Sequence, residues 1–127
     1  MVILAGAKFV VSPSLNIDMV KMCNRYRVPV MPGVMTVKEA LEALELGVDI
    51  LKIFPANLLG MKAIKTFKGP LPQANFMPTG GVSLENAKEW LENGAIAVGI
   101  GNSLIEEAKT ENYEGIIKKI QEFLKTL

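Results

Sequence analysis

Histidine is absent from this 127-residue chain, and cysteine and tryptophan occur once each. Without histidine, His-based catalytic triads and His-ligated metal sites are excluded. The lone Cys23 excludes an internal disulfide, and it falls within a helical pattern, where it reads as a packing residue. Charge of either sign is not in excess: 14 Lys+Arg against 13 Asp+Glu leave +1. With no basic cluster, nucleic-acid binding has no support. No apolar run approaches a membrane span. The opening Met1-Val2-Ile3-Leu4-Ala5-Gly6 lacks the basic and apolar regions of a signal peptide. The cytoplasm is the default expectation. Half of the residues are hydrophobic, which suits one core-forming domain over residues 1–127.

Strand and helix patterns alternate along the chain. Lys8 to Ser12 is apolar and β-branched and ends at Pro13. Asn16 is placed to cap a helix carrying Ile17, Val20 and Met22. Val28 to Met31 reads as a strand stopped by Pro32-Gly33. Thr36-Val37-Lys38-Glu39 is a capping box, followed by the apolar stripe Ala40, Leu41 and Leu44 and a stop at Gly47. Asp49 to Phe54 is the third strand. A loop containing Pro55 and Gly60 leads to a helix near Met61 to Phe67. Asn75 to Met77 is the fourth strand. Ser83 is the expected cap of a helix over Leu84 to Glu92, closed by Gly94. Ala95 to Ile100 is the fifth strand, and Tyr113 to Leu127 forms a tail helix. Such alternation predicts an α/β fold with a parallel sheet and right-handed crossovers. A faint repeat, Met31-Pro32-Gly33-Val34 against Met77-Pro78-Thr79-Gly80-Gly81-Val82, suits a (β/α)₈, TIM-barrel type of architecture.

Chemistry concentrates at two places. Lys52 interrupts the apolar strand Ile50-Leu51-Lys52-Ile53-Phe54. Alternation puts Ile50, Lys52 and Phe54 on one face of that strand. A desolvated ammonium is costly, so a lysine held there is expected to have a lowered pKa and to be a candidate nucleophile toward a carbonyl. The competing reading is a strand-end lysine that snorkels to water. The second place is a pair of glycine-rich strand exits, Thr79-Gly80-Gly81 and Gly99-Ile100-Gly101-Asn102-Ser103. Glycines let backbone N–H groups approach an anion, and the last two βα loops of a barrel commonly bind phosphate. The alternative is that these glycines only make tight turns. Neither exit has Rossmann or P-loop spacing.

These strand exits, taken in order, resemble a known family. Val10-Val11-Ser12-Pro13, Val30-Met31-Pro32-Gly33-Val34-Met35-Thr36, Leu51-Lys52-Ile53-Phe54-Pro55-Ala56, Pro78-Thr79-Gly80-Gly81-Val82 and Val98-Gly99-Ile100-Gly101 look like motifs of the 2-keto-3-deoxy-6-phosphogluconate/4-hydroxy-2-oxoglutarate aldolases. The likeness covers residues 5–108. It implies a class I aldolase on a (β/α)₈ barrel, homotrimeric, needing no metal or other cofactor and acting on a keto acid that is commonly phosphorylated. By the same resemblance Lys52 is the Schiff-base lysine, and Pro13 and Phe54 line the substrate pocket. Thr79, Gly80 and Gly81 hold substrate hydroxyl and phosphate. At the second exit, Gly101, Asn102 and Ser103 stand where the family has a phosphate-binding serine.

The chain also departs from that family. The glutamate base, the carboxylate-binding arginine and the Gly-Thr motif of the family's first strands have no counterpart here. About five βα units are legible where a closed barrel has eight, so the chain resembles the C-terminal five-eighths of an aldolase. Open sheet edges would then be expected to drive association into a homo-oligomer, a trimer by resemblance or a dimer that closes the edges. Glu39, Glu42 and Glu45 read as a solvated helix face. The competing function is a non-catalytic remnant or assembly module that keeps an anion site. A barrel like that of thiamine-phosphate synthase predicts acidic metal ligands at strand ends, and none is found.

Overall fold

The computed structural model describes residues 1–104, 109 and 112–125. In chain order its elements are β1 (Val10–Val11), α1 (Ile17–Arg25), β2 (Val30–Met31), β3 (Gly33–Val34), α2 (Val37–Glu45), β4 (Leu51–Ile53), α3 (Ala56–Leu59), α4 (Lys62–Lys68), β5 (Phe76–Pro78), α5 (Ala87–Glu92) and α6 (Tyr113–Leu124). All strand pairs are parallel and follow sequence order: β1 with β2, β3 with β4, and β4 with β5. A parallel bridge between Thr79 and Gly99 adds the next position. The α/β architecture with parallel pairing is therefore as expected, the strands falling into a two-stranded and a three-stranded sheet, each crossover being long enough to hold a helix.

Five local expectations are corrected. Gly33–Val34 is not a turn but β3. Pro32 has no N–H to give to a ladder, so pairing breaks there and resumes with β4. The Pro32 carbonyl still accepts from the Lys52 N–H at 3.0 Å. Residues expected as a loop after Pro55 form the one-turn helix α3, and the Phe54–Pro55 peptide bond is cis. Ser83 does not cap α5. Asn86 occupies that position, and its side chain closes the preceding turn instead, accepting from the Ser83 N–H and donating to the Gly81 carbonyl, both at 2.9 Å. The fifth strand shrinks to the bridge at Gly99, supported by the Ile96 and Gly99 N–H groups donating to the Phe76 and Pro78 carbonyls. The strand expected over Lys8 to Ser12 is only Val10–Val11. The last two residues of the expected tail helix, 126–127, lie outside the described residues.

Helix starts and stops follow local chemistry. Asn16 accepts from the Met19 N–H at 2.9 Å to begin α1. Thr36 and Glu39 form the capping box of α2. The Glu39 carboxylate accepts from the Met35 and Thr36 N–H groups, at 2.9 Å each. These bonds, that of Met35 foremost, hold its pKa below the ordinary carboxylate range.

Helices α1, α2 and α5 end in the same double bond. The N–H groups of Arg27, Gly47 and Gly94 donate to Asn24, Leu44 and Leu91. Those of Val28, Val48 and Ala95 reach back to Cys23, Ala43 and Trp90. This ending needs a positive φ, which Gly47 and Gly94 supply at 83° and 102°. In α1 the position is Arg27, at φ 54°. Arg27→Gly is therefore expected to stabilise the chain by about 0.5–1 kcal/mol, relief of left-handed strain outweighing the added freedom of the unfolded chain. A denaturant midpoint that falls with unchanged slope would contradict this.

The core is one cluster under the sheet. Leu51, Ile53, Ile64 and Phe76 are fully buried, and Phe67 meets Phe76 edge-on with centroids 5.6 Å apart. Cys23 is buried within it, as its helical position implied. Among the described residues no helix is long and apolar enough to cross a membrane.

Candidate active site

Register decides which side chains share a face. Lys52 lies between Gly33 and Met77, and two residues later Phe54 reaches the level of Thr79, which bridges to Gly99. Period-two alternation places Lys52, Phe54, Met77 and Thr79 on one side of the sheet. Lys52 is the one buried charged residue among the described residues, 8 % exposed. Its Nζ stands 4.5 Å from the centroid of the Phe54 ring. Burial, and no neighbouring charge, pulls its pKa below the ordinary 10.5. A ring face favours the ammonium, but desolvation dominates the balance here. The amine is thus held in a largely apolar setting with no carboxylate partner among the described residues.

At the carboxyl end of β5 the chain makes the turn anticipated from its glycines. Gly80 and Gly81 have φ of 93° and 72°, a backbone that side-chain-bearing residues resist. Together with Phe54, residues 79–83 and 101–103 line one cavity of about 360 Å³. Phe54, Thr79, Gly80, Gly81, Gly101, Asn102 and Ser103, singled out from three separate stretches, thus share one wall system. Asn102 and Ser103 are exposed at its rim. Gly101 has no neighbour within 4 Å of where a Cβ would stand, so no packing demands glycine there. The Thr79 hydroxyl is buried without a hydrogen-bond partner and fills the space that a side chain at Gly99 would need. An orphaned hydroxyl of this kind is costly unless a ligand or water meets it.

Two of the expected site residues lie outside that wall. Lys52 is one residue pair deeper on β4, connected through the Phe54 ring. Pro13 is exposed beyond β1, and its carbonyl occupies the place of a side chain at Gly33. Since Gly33 shares the face of Lys52, Pro13 borders that side of the sheet. Its effect is to demand glycine at position 33.

No carboxylate among the described residues lines the cavity. Glu39 is committed to its capping box, and Glu45 is exposed. No group of three or more Cys, Asp or Glu residues among those described is placed to hold a metal. Two residues not anticipated from sequence support the glycine turn: Asn86, which clips it through Gly81 and Ser83, and Asn57, whose Cβ lies 2.6 Å from where a Cβ on Gly81 would be. Asn57 carries no local signal, because only the fold brings it beside Gly81. Asn86 closes its turn on residues three and five before it, but nothing in composition marks it over Ser83.

This arrangement has close parallels. The family described as "Aldolase: KDPG and KHG aldolase" matches residues 1–119. The 2-dehydro-3-deoxy-phosphogluconate aldolase of Haemophilus influenzae is 36% identical over 94% of this chain and 58% of its own length. That of Treponema pallidum is 42% identical over 68% of this chain and 42% of its own. The crystal structure of KDPG aldolase from Legionella pneumophila, with pyruvate captured as a covalent carbinolamine intermediate, superposes with a TM-score of 0.83 at 33% identity. It covers 93% of this chain and 59% of that one. The chain spans about half the length of the curated relatives it matches. With the motifs in order, the parallel β/α units in place and the match running through nearly all of the sequence, the chain belongs to the KDPG and KHG aldolase family.

Proposed function

We propose that this chain carries the Schiff-base half of a class I aldolase, cleaving a 2-keto-4-hydroxy acid such as 2-keto-3-deoxy-6-phosphogluconate to pyruvate and an aldehyde. The observation that carries this reading is Lys52, an amine held by burial below its ordinary pKa on the same face as the cavity wall at Phe54 and Thr79. The five sequential strand positions form an arc of a (β/α)₈ barrel. The chain associates with further subunits to cover its open edges, and needs no cofactor.

In this reading the neutral Nζ of Lys52 attacks the substrate C2 carbonyl, forming a carbinolamine that loses water to an iminium. A base takes the C4 hydroxyl proton. The C3–C4 bond breaks, its electron pair flows to the iminium nitrogen, and an aldehyde leaves. Protonation of the enamine at C3 and hydrolysis then release pyruvate and the free amine. Phe54 keeps the attacking nitrogen among apolar surface. Pro13 borders the same side. The orphaned Thr79 hydroxyl bonds a substrate oxygen, and Gly80, Gly81, Gly101, Asn102 and Ser103 receive the distal phosphate. No carboxylate among the described residues lines the cavity to act as the base, so turnover by this chain alone is expected to fall short by a factor of about 10² to 10⁴.

Imine formation does not need that base, and so it is the test. Pyruvate with borohydride should leave a carboxyethyl group on Lys52, located by peptide mass spectrometry. Modification of a different lysine, or of none, would overturn the assignment and favour the remnant or assembly-module reading.

A further inference from the structure

We propose that Asn57 is a specificity-determining residue, its side-chain amide hydrogen-bonding the anionic distal group of the substrate seated at the Gly80–Gly81 turn. This rests on the aldolase reading for the identity of the substrate, but not for the anion contact itself. Helix α3 is tied to the turn, because the Ala56 N–H donates to the Thr79 carbonyl at 2.9 Å. That bond sets Asn57 beside both glycines. Its Oδ1 lies 3.5 Å from where a Cβ on Gly80 would stand, beside Phe54 Cδ2 at 3.6 Å. Adding one carbon–carbon bond puts the amide within about 5 Å of the Gly80 Cα.

Asn57 is exposed, and its amide has no hydrogen-bond partner among the described residues. A half-turn about χ2 presents two N–H donors where Oδ1 now stands. Among the described residues the cavity wall is without charge: they are Phe54, Val82, glycines, hydroxyl residues and Asn102. An anion held there depends on neutral donors, so one more amide beside the Gly80–Gly81 turn weighs heavily. The Asn57 Cβ occupies the space that a Cβ on Gly81 would need, so the stem of the side chain lies against the turn.

The experiment is titration of inorganic phosphate into the chain at low ionic strength, by ³¹P NMR, for wild type, Asn57→Ala and Asn57→Asp. Pyruvate trapping at Lys52 is measured alongside. Asn57→Ala removes one charge-assisted bond and should weaken phosphate about tenfold. Asn57→Asp keeps the shape but opposes the anion, and should weaken it further, with trapping unchanged in both. Equal phosphate affinity in all three proteins would overturn the proposal, as would a wild type that binds no phosphate. Parallel loss of trapping in the variants would also overturn it, since that marks general distortion of the site. If Asn57→Asp does not fold, Asn57→Ala alone decides by the same criterion. Should wild-type trapping fail while phosphate affinity still follows residue 57, the aldolase reading falls and the anion contact stands.

Discussion

Replacing Lys52 with methionine is expected to stabilise the chain by about 1–2 kcal/mol near neutral pH while removing all pyruvate trapping. Lys52 sits in β4 between fully buried Leu51 and Ile53, 8 % exposed and without a carboxylate partner among the described residues. Its charged form therefore pays desolvation that the unfolded chain does not pay. The pH dependence has a definite sign. The pKa is lowered in the folded state from 10.5, so between the folded and unfolded values the unfolded chain binds more protons. Wild-type stability then rises with pH across that window. Below the folded pKa the full penalty is present; above 10.5 it is gone. The advantage of Lys52→Met should be largest below the folded pKa and shrink as pH climbs toward 10.5. Thermal melts of both proteins across that range provide the measurement. An advantage constant with pH, or a loss of stability, would show that Lys52 is not held as an unpaired amine. Methionine suits the test because it retains the unbranched apolar stem and fills the same gap.

The second expected result is that the 127-residue chain does not scatter light as a monomer at low micromolar concentration. Strand β1 pairs on one side only, with β2. The Val10 and Ser12 N–H groups donate to Pro29 and Met31, so by alternation those of Phe9 and Val11 point to the open side. Phe9 is 58% and Val11 42% exposed, and Val2 and Leu4 nearby in sequence are more exposed still. An apolar edge with free backbone donors is one that proteins cover. Burying about 400 Å² of such surface would contribute about 10 kcal/mol before the cost of association. Val11→Lys puts a charge on that edge and should shift the population toward monomer. A cooperatively folding wild-type monomer would refute the expectation and would mean that the edge is tolerated in water.

What could be read from sequence was local. Asn16, the Thr36–Glu39 pair, Gly47 and Gly94 act within a few residues, and each stands in the role its position implied. Where a choice depended on partners distant in sequence, local reading failed. Pro32-Gly33 has the composition of a stop, yet Gly33 is held in a strand by β4 and by the Pro13 carbonyl. At α5 the failure was local: Ser83 and Asn86 are equally good caps by type, and the start of the helix is set by Asn86 closing a turn on Ser83 and Gly81. Helix α3 is too short for any period to show. Arg27 could not be foreseen as a helix stop, since the stop is made by backbone bonds that glycine favours but does not monopolise. The site was more legible than the fold around it. A lysine in an apolar strand and glycines at strand exits are chemically conspicuous, whereas Asn57 is an ordinary polar residue until the turn of Gly80 and Gly81 is set beside it.

Because paired strands in both the two-stranded and the three-stranded sheet are neighbours in sequence, the chain behaves as a short one-dimensional array. Each unit is stabilised by the unit before and the unit after, as in a solenoid. Strand β4 is flanked on both sides and buried throughout, whereas β1 has a single partner. Local opening then costs most at β4 and progressively less toward either edge. The candidate nucleophile is expected in the segment that opens last, and the Gly80–Gly81 turn on the cavity wall lies farther down that gradient. If the proposed reading holds, the two ends of one substrate would meet parts of the fold with different tendencies to open, a rigid reactive end at Lys52 and a more yielding end at the glycine turn.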